Sequence, residues 1–243
     1  MVHINRNYPH FSVLMSVYKS ENPKYLDEAL ESIEHQTVLP SEIVLVEDGE
    51  LTDQLESVIL KHQDKFGVKL RIIKSAKNQG LGLALRLGTK FVSNDWIARM
   101  DSDDISVPDR FEKQLDEIIR RPEIAVIGGQ IDEFVGERGK LVGYRKVPTS
   151  ESMIRQFVKW RSPFNHPSIM IKKSVLERVG GYLPYGNLED YYLWSRIISQ
   201  NYHVLNLSEV LVEMRVDKGL YKRRGRLSNI FINYESTCMI ETY

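Results

Sequence analysis

The chain has 243 residues, room for one enzyme-sized core, and its 33 Lys and Arg balance 33 Asp and Glu, so overall charge does not point to a polyanionic partner such as nucleic acid. A single cysteine, Cys238, excludes an internal disulfide and any multi-thiolate zinc or iron–sulfur centre, in keeping with a reducing cytosol. No stretch approaches the ~20 apolar residues needed to cross a bilayer, and Met1 to His10 lacks the apolar run of a secretory signal, so a cytoplasmic protein is expected.

Phe11 to Tyr18 reads as a strand, after which Asn22-Pro23 starts a helix whose Leu26, Ala29, Leu30 and Ile33 share one face. Glu42 to Val46 is the next strand, Thr52 to Lys65 a helix, Lys69 to Ile73 a strand and Leu81 to Val92 a helix. This alternation predicts an α/β fold with a mostly parallel sheet covered on both faces, which binds ligands beyond the carboxyl ends of its strands. A fourth strand, Trp96 to Met100, runs into Asp101-Ser102-Asp103-Asp104 at that edge, and Pro108 opens a helix to about Arg120. The second half predicts strands at Ile124 to Ile127 and Ile131 to Val135, with Val142 to Val147 pairing onto the latter in a smaller mixed sheet. A helix over Ser152 to Trp160, a strand at Ser168 to Ile171, a helix from Leu188 to Gln200 and strands near Val204 and Val210 follow.

Asp101 and Asp103 supply the carboxylates by which a hard divalent cation, Mg2+ or Mn2+, is held together with substrate phosphates. A calcium loop running from Asp101 to Glu112 is excluded by Ile105 and Ser106 where an oxygen ligand and a glycine are required, and by Pro108. At the end of the second strand, Asp48 can accept the imide hydrogen of a pyrimidine, with Gly49 allowing a sharp turn. Ser16 offers backbone polar groups at the end of the first strand; Tyr18 reads equally as a base-stacking ring and as packing. Ser16 to Glu21 contains no glycine, which disfavours a dinucleotide site, and neither a serine-hydrolase elbow nor a zinc-protease motif is present.

Glu189 and Asp190 open a helix; they are either first-turn acids favoured by its dipole or include a general base. Gly180, Gly181 and Gly186 before them suit a loop that closes over substrate. His166 reads either as a phosphate or acceptor contact or as a structural histidine. The run Lys222-Arg223-Arg224-Gly225-Arg226, followed by the stripe Leu227, Ile230, Phe231 and Tyr234, reads three ways: a grip on an anionic membrane, packing on the body, or diphosphate binding.

Taken in order, the motifs Ser12-Val-Leu-Met-Ser-Val-Tyr18, Val46-Glu-Asp-Gly49, Asn78-x-Gly80-Leu81, Arg99-Met-Asp-Ser-Asp-Asp104, Pro108-Asp-Arg-Phe-Glu112, His166-Pro-Ser168, Gly180-Gly-Tyr182 and Glu189-Asp-Tyr191 resemble the inverting glycosyltransferase family 2, of GT-A fold, over Phe11 to about Arg226. Glu47 and Glu50 stand where that family commonly has Asp and Ser, and Lys19 where it often has Asn. The resemblance implies one glycosyltransferase domain over residues 1–226, with a nucleotide-binding half over 11–104 and an acceptor half over 105–226, then an amphipathic helix over 227–243 that the chain's end interrupts. It implies that Ser16, Tyr18 and Asp48 hold the nucleoside, that Asp101 and Ser102 contact the nucleotide, that Asp103, with Asp101, serves the metal, and that Asp190 is the catalytic base. Arg99, His166 and Glu189 are further candidates for acceptor or diphosphate contacts. The expected donor is a nucleotide-sugar, a UDP-sugar in particular, and the acceptor a glycan or lipid-linked glycan of bacterial polysaccharide assembly, met in the cytoplasm at the membrane's inner face. The rival readings are a nucleotidyltransferase, which would want a Gly-rich basic loop after the first strand, and a silent sugar-nucleotide or glycan-binding module.

Overall fold

A computed structural model describes residues 7–66, 69–186 and 188–216; the basic run, the segment 227–243 expected to be helical, and Asn187 lie outside the described residues. The first half alternates as expected: β1 (Phe11–Val17), α1 (Pro23–Glu34), β2 (Glu42–Asp48), α2 (Asp53–Lys65), β3 (Lys69–Ser75), α3 (Leu81–Thr89) and β4 (Trp96–Arg99). Local chemistry sets the starts: the Asn22 side chain accepts the Lys24 amide hydrogen with Pro23 in the first turn, and the Thr52 hydroxyl accepts from Leu55. There follow β5 (Ile105–Ser106), α4 (Arg110–Arg120), β6 (Ile124–Phe134), β7 (Leu141–Arg145), α5 (Glu151–Phe157), a 3-10 turn (His166–Ser168), β8 (Met170–Lys172), α6 (Lys173–Arg178), α7 (Glu189–Ser199) and β9 (His203–Arg215).

The strands form one mixed sheet in the order β3-β2-β1-β4-β8-β6-β9-β5, with β7 on β6. From β3 to β4 every pairing is parallel; β8 is antiparallel to both β4 and β6, and β6 and β9 are parallel. The mixed half is therefore continuous with the parallel half. Because successive side chains point to opposite faces, β1 and β2 divide their apolar residues between two cores. Leu14, Val44 and Val46 pack with Leu85, Trp194 and Ile197, whereas Val13, Met15 and Leu45 pack with Leu30, Leu55 and Phe111. Both faces are buried, and the sheet edge where β1, β2 and β4 end is left for ligand.

The second half departs from expectation in ways that have steric reasons. β6 is one strand where two were expected, because Gly128-Gly129 is a close crossing instead of a break. A Cβ on Gly128 would lie 2.5 Å from Asn206 Oδ1, and one on Gly129 2.5 Å from Leu211 Cδ1. β9 likewise runs unbroken past Ser208-Glu209, with register shifts where it follows Gly128 and Gln130. The helix expected to reach Val92 ends at Thr89, and the two-residue β5 and the six-residue α6 carried no periodic signal. Among the described residues no helix is long and apolar enough to cross a membrane.

Candidate active site

The residues predicted to hold the nucleotide and the metal gather at the carboxyl ends of three adjacent strands. Parallel register sets Arg99 beside Leu14 and Glu47 beside Val17, and the Met100 amide donates to Leu14 O at 3.2 Å. Ser16, Tyr18, Asp48 and the loop after β4 therefore leave the sheet side by side. Tyr18 is 46% exposed. The Asp48 carboxylate accepts the Gln79 and Gly80 amide hydrogens, both at 2.9 Å, so it also ties the β2 end to the loop before α3. That contact requires Gly49, whose φ is +90° and whose Cβ, if present, would lie 2.8 Å from the Asn78 nitrogen.

After β4 the chain turns so that Asp101, Asp103 and Asp104 each offer a carboxylate oxygen, all within 4.8 Å of one another. Burial, then the charges of Asp101 and Glu21, push Asp103 up to about 7. Burial, then the charges of Asp103 and Asp101, hold Asp104 well above the usual carboxylate range, although its Oδ1 accepts the Arg215 amide hydrogen at 2.9 Å. Its Oδ2 is buried with no partner. Three crowded oxygen donors, one of them buried and unsatisfied, fit a hard divalent cation. The loop is braced from outside: Ser102 donates to Glu21 at 2.7 Å, and Arg215 Nε donates to the Asp103 carbonyl at 3.2 Å. Fully buried Arg110 donates to the Arg99 carbonyl at 2.8 Å, and burial together with the Arg99 charge lowers its guanidinium to about 9.

A cavity of about 590 Å³ opens beside this loop. Buried or half-buried Arg99, Asp101, Glu189 and Asp190 line it and are taken as its floor; Lys146, Trp160 and Arg161 also line it and, being exposed, are taken as its mouth. Glu189 and Asp190 stand in the first turn of α7. Burial, then Asp190, pushes Glu189 up to about 7, and burial raises Asp190, whose carboxylate is held in turn by the Tyr191 amide and the Arg99 charge. Arg99 is fully buried and ion-paired through Nη2 to Asp101, while its Nε and Nη1 have no partner. Its charge reaches Asp103, Glu189, Asp190 and His166.

His166 lines the cavity but is occupied: it shares a 3.0 Å hydrogen bond with the Tyr182 hydroxyl and meets the Trp194 ring edge-on at 5.8 Å. Burial, then Arg99, holds it well below the usual histidine range, so the ring is neutral. Tyr182 is itself buried, and Arg196 Nη2 donates to the Gly181 carbonyl at 2.8 Å, which anchors the Gly180–Tyr182 end of the loop before α7. Ser16, Tyr18, Asp48, Ser102 and Asp103 do not line the cavity, which meets their side of the site at Arg99 and Asp101.

Sequence reasoning left Asp104 out of the ligand set, although it follows Asp103 directly. It gave no role to Arg110 or Arg215; a charged residue in an otherwise apolar helix stripe, as Arg110 is beside Phe111, was the available signal. The mouth of the cavity left no signal, because Lys146, Trp160 and Arg161 come from two irregular segments.

The profile of glycosyl transferase family 2 matches residues 12–180. A Haemophilus influenzae protein named "Uncharacterized glycosyltransferase" is 46% identical over 214 residues, covering 88% of this chain and 79% of that one. The Escherichia coli UDP-Gal:alpha-D-GlcNAc-diphosphoundecaprenol beta-1,3-galactosyltransferase is 39% identical over 217 residues, 89% of this chain and 78% of the relative. The Erwinia amylovora amylovoran biosynthesis glycosyltransferase AmsE is 39% identical over 216 residues, 88% and 80% of the two chains. Among solved structures, S. aureus TarS 1–349 in complex with UDP-GlcNAc shares the fold with a TM-score of 0.71 at 20% identity, over 92% of this chain and 64% of that one. This chain spans only 37% of a longer TarS structure.

Proposed function

The chain belongs to glycosyl transferase family 2 and is a glycosyltransferase, and from that premise we propose that it moves a sugar from a UDP-sugar to a hydroxyl of a glycan or lipid-linked glycan, with inversion at the anomeric carbon. The observation that carries this reading is that Asp101, at the end of the strand bearing the acidic cluster, and Asp190, in the first turn of α7, line one cavity. A sugar nucleotide whose diphosphate is held at the first presents the anomeric carbon of its sugar to a hydroxyl activated by the second.

Ser16, Tyr18 and Asp48 hold the nucleoside, and Asp101 and Ser102 its ribose and diphosphate side. Asp103, assisted by Asp101 and Asp104, would hold a divalent cation, Mn2+ or Mg2+, and that cation would supply charge neutralisation for the departing diphosphate. Asp190 accepts the acceptor's proton as that oxygen attacks from the face opposite the nucleotide, and the bond to the diphosphate breaks. Burial raises its proton affinity, which suits a general base, and the nearby Arg99 charge opposes that rise. Arg99 fixes Asp101, and Glu189 contributes to the acceptor side. His166, neutral and bonded to Tyr182, shapes the cavity wall.

The E. coli relative is named for UDP-Gal and a diphosphoundecaprenol-linked GlcNAc, which supports a UDP donor and a lipid-linked acceptor here; we place their meeting at the cytoplasmic face of the membrane. The test is a panel of nucleotide-sugars with and without Mn2+, read first as thermal stabilisation and then as transfer to alkyl glycosides and alkyl diphosphate sugars. Metal-dependent stabilisation by at least one UDP-sugar is expected. No stabilisation by any donor would overturn the reading.

A further inference from the structure

The mouth of the cavity is used by nothing in the chemistry above. Trp160 is 79% exposed, the most exposed of the large apolar side chains in the described residues. Lys146 and Arg161 are exposed and ion-pair with no described carboxylate; Arg161 only lies over the Phe157 ring, at 5.9 Å. The other cation of the rim, Arg145, is already paired with Glu133 at 2.9 Å. All three acids of the cavity, Asp101, Glu189 and Asp190, are buried or half-buried, in contrast to the exposed cations. The cavity is thus polarised, with carboxylates where the hydroxyl reacts and uncompensated cations beside an indole where the rest of the acceptor must lie.

The rim is also built to hold its place. Asn165 Nδ2 donates to the Gly129 carbonyl at 3.0 Å and to the Arg145 carbonyl at 3.2 Å, and the Gln130 side chain accepts the Val147 amide hydrogen at 2.8 Å. Both segments that carry the cations are therefore fastened to β6, in the interior of the sheet.

We propose that Lys146, Arg161 and Trp160 form an acceptor subsite that recognises a phosphate or diphosphate attached to the acceptor sugar, the two cations meeting the phosphate oxygens and the indole covering the sugar's apolar face. This rests on the assignment of the cavity floor to sugar transfer. The donor's diphosphate lies on the side of Asp101 and Asp103, so the rim serves a second anion. Charge-assisted hydrogen bonds to phosphate are the strong kind, and a cavity of this volume is within the roughly 300–1,000 Å³ of small-ligand sites.

The test is a set of hexose and N-acetylhexosamine alkyl α-diphosphates, each matched with the neutral alkyl glycoside of the same sugar, offered with the UDP-sugar that stabilises the protein. At least one diphosphate should be used about tenfold or more better in kcat/KM than its matched glycoside. The Lys146→Ala/Arg161→Ala double variant should lose that preference, Arg161→Lys alone should keep part of it, and Trp160→Ala should raise KM for both members of the pair. Stabilisation of each variant by UDP reports that it is folded with its donor side intact. Equal use of the paired acceptors, use of none while UDP still stabilises, or an unchanged preference in the double variant would overturn the proposal and leave the transferase reading standing. Absence of UDP stabilisation in the unmodified protein would instead remove the reading beneath it. Vesicles of phosphatidylglycerol and of phosphatidylcholine separate the sources of phosphate. If the double variant loses binding to the anionic vesicles but keeps its diphosphate preference in detergent, the cations serve lipid headgroups and the acceptor subsite is refuted.

Discussion

Replacing Gly49 with alanine should separate two costs that the structure places at one residue. Its φ of +90° is unfavourable for an L-residue, at roughly 1–2 kcal/mol, and the new Cβ would press on the Asn78 backbone at 2.8 Å, adding about 1–3 kcal/mol of overpacking. The sum, about 2–5 kcal/mol, is a large part of the roughly 5–15 kcal/mol that a domain possesses. At about 2–4 °C per kcal/mol for a chain of this size, Tm should fall by about 4–20 °C. Gly139 is the control: its φ is +94° but nothing lies within 4 Å, so Gly139→Ala should cost only the conformational part and lower Tm by about 2–8 °C. Because relief of the clash must push the β2 end away from Gln79 and Gly80, Gly49→Ala should also diminish the extra stabilisation given by UDP, and Gly139→Ala should not. Differential scanning calorimetry with and without UDP measures both. Equal Tm losses in the two variants would refute the argument that the approach of these loops is what positions Asp48.

Asp190→Asn should keep UDP-dependent stabilisation while transfer falls about 10²–10⁴-fold, the usual contribution of a general base; near-normal turnover would remove it from that role. Asp103 titrates near 7, so protons and a divalent cation compete for it, and metal-dependent stabilisation should grow from pH 6 to 8 and be largely lost in Asp103→Asn, as a melting series with and without Mn2+ would show. Glu189 binds its proton more tightly folded than unfolded, so its contribution is present below its unfolded value of 4.5 and is lost as pH rises to about 7. Glu189→Gln should therefore gain stability relative to the parent as pH rises through that window; a difference in Tm independent of pH would contradict the assignment. Arg110→Met should cost about 1–3 kcal/mol by chemical denaturation, because the buried Arg99 and Ile169 carbonyls lose the guanidinium that donates to them.

The parallel half was legible because each of its elements carries its own signal: β-branched runs at 11–17 and 42–48, and apolar residues on one helix face at Leu26, Leu30 and Ile33. The acidic loop was legible because a strand delivers it to the ligand edge. Where the second half diverged, a local cue had a long-range cause. Gly128-Gly129 resembles a turn only until the side chains of Asn206 and Leu211, some eighty residues on, fill the space a Cβ would need. For the same reason Asp190 could be placed at a helix start but not opposite Asp101: that neighbourhood depends on β8 entering the sheet between β4 and β6, which no local pattern specifies. Arg110 could be noticed as part of a motif, yet its task, holding the end of β4 by hydrogen bonds to the Arg99 and Ile169 carbonyls, exists only once α4 has packed.

The insertion of β8 between β4 and β6 also limits how this enzyme can be recombined. Trp96, Ile97 and Ala98 are laddered to Lys172, Ile171 and Met170, so the strand that ends at the acidic loop shares its hydrogen bonds with a strand of the second half of the chain. A chimera joined between the halves would have to match two foreign strands in register, twist and side-chain volume along this seam, and would misfold where they disagree. The segment from Val158 to Asn165 contributes no strand to the sheet, although it supplies Trp160 and Arg161 to the rim. Under the proposed rim assignment, grafting that segment should exchange acceptor preference and leave donor preference behind in the sheet.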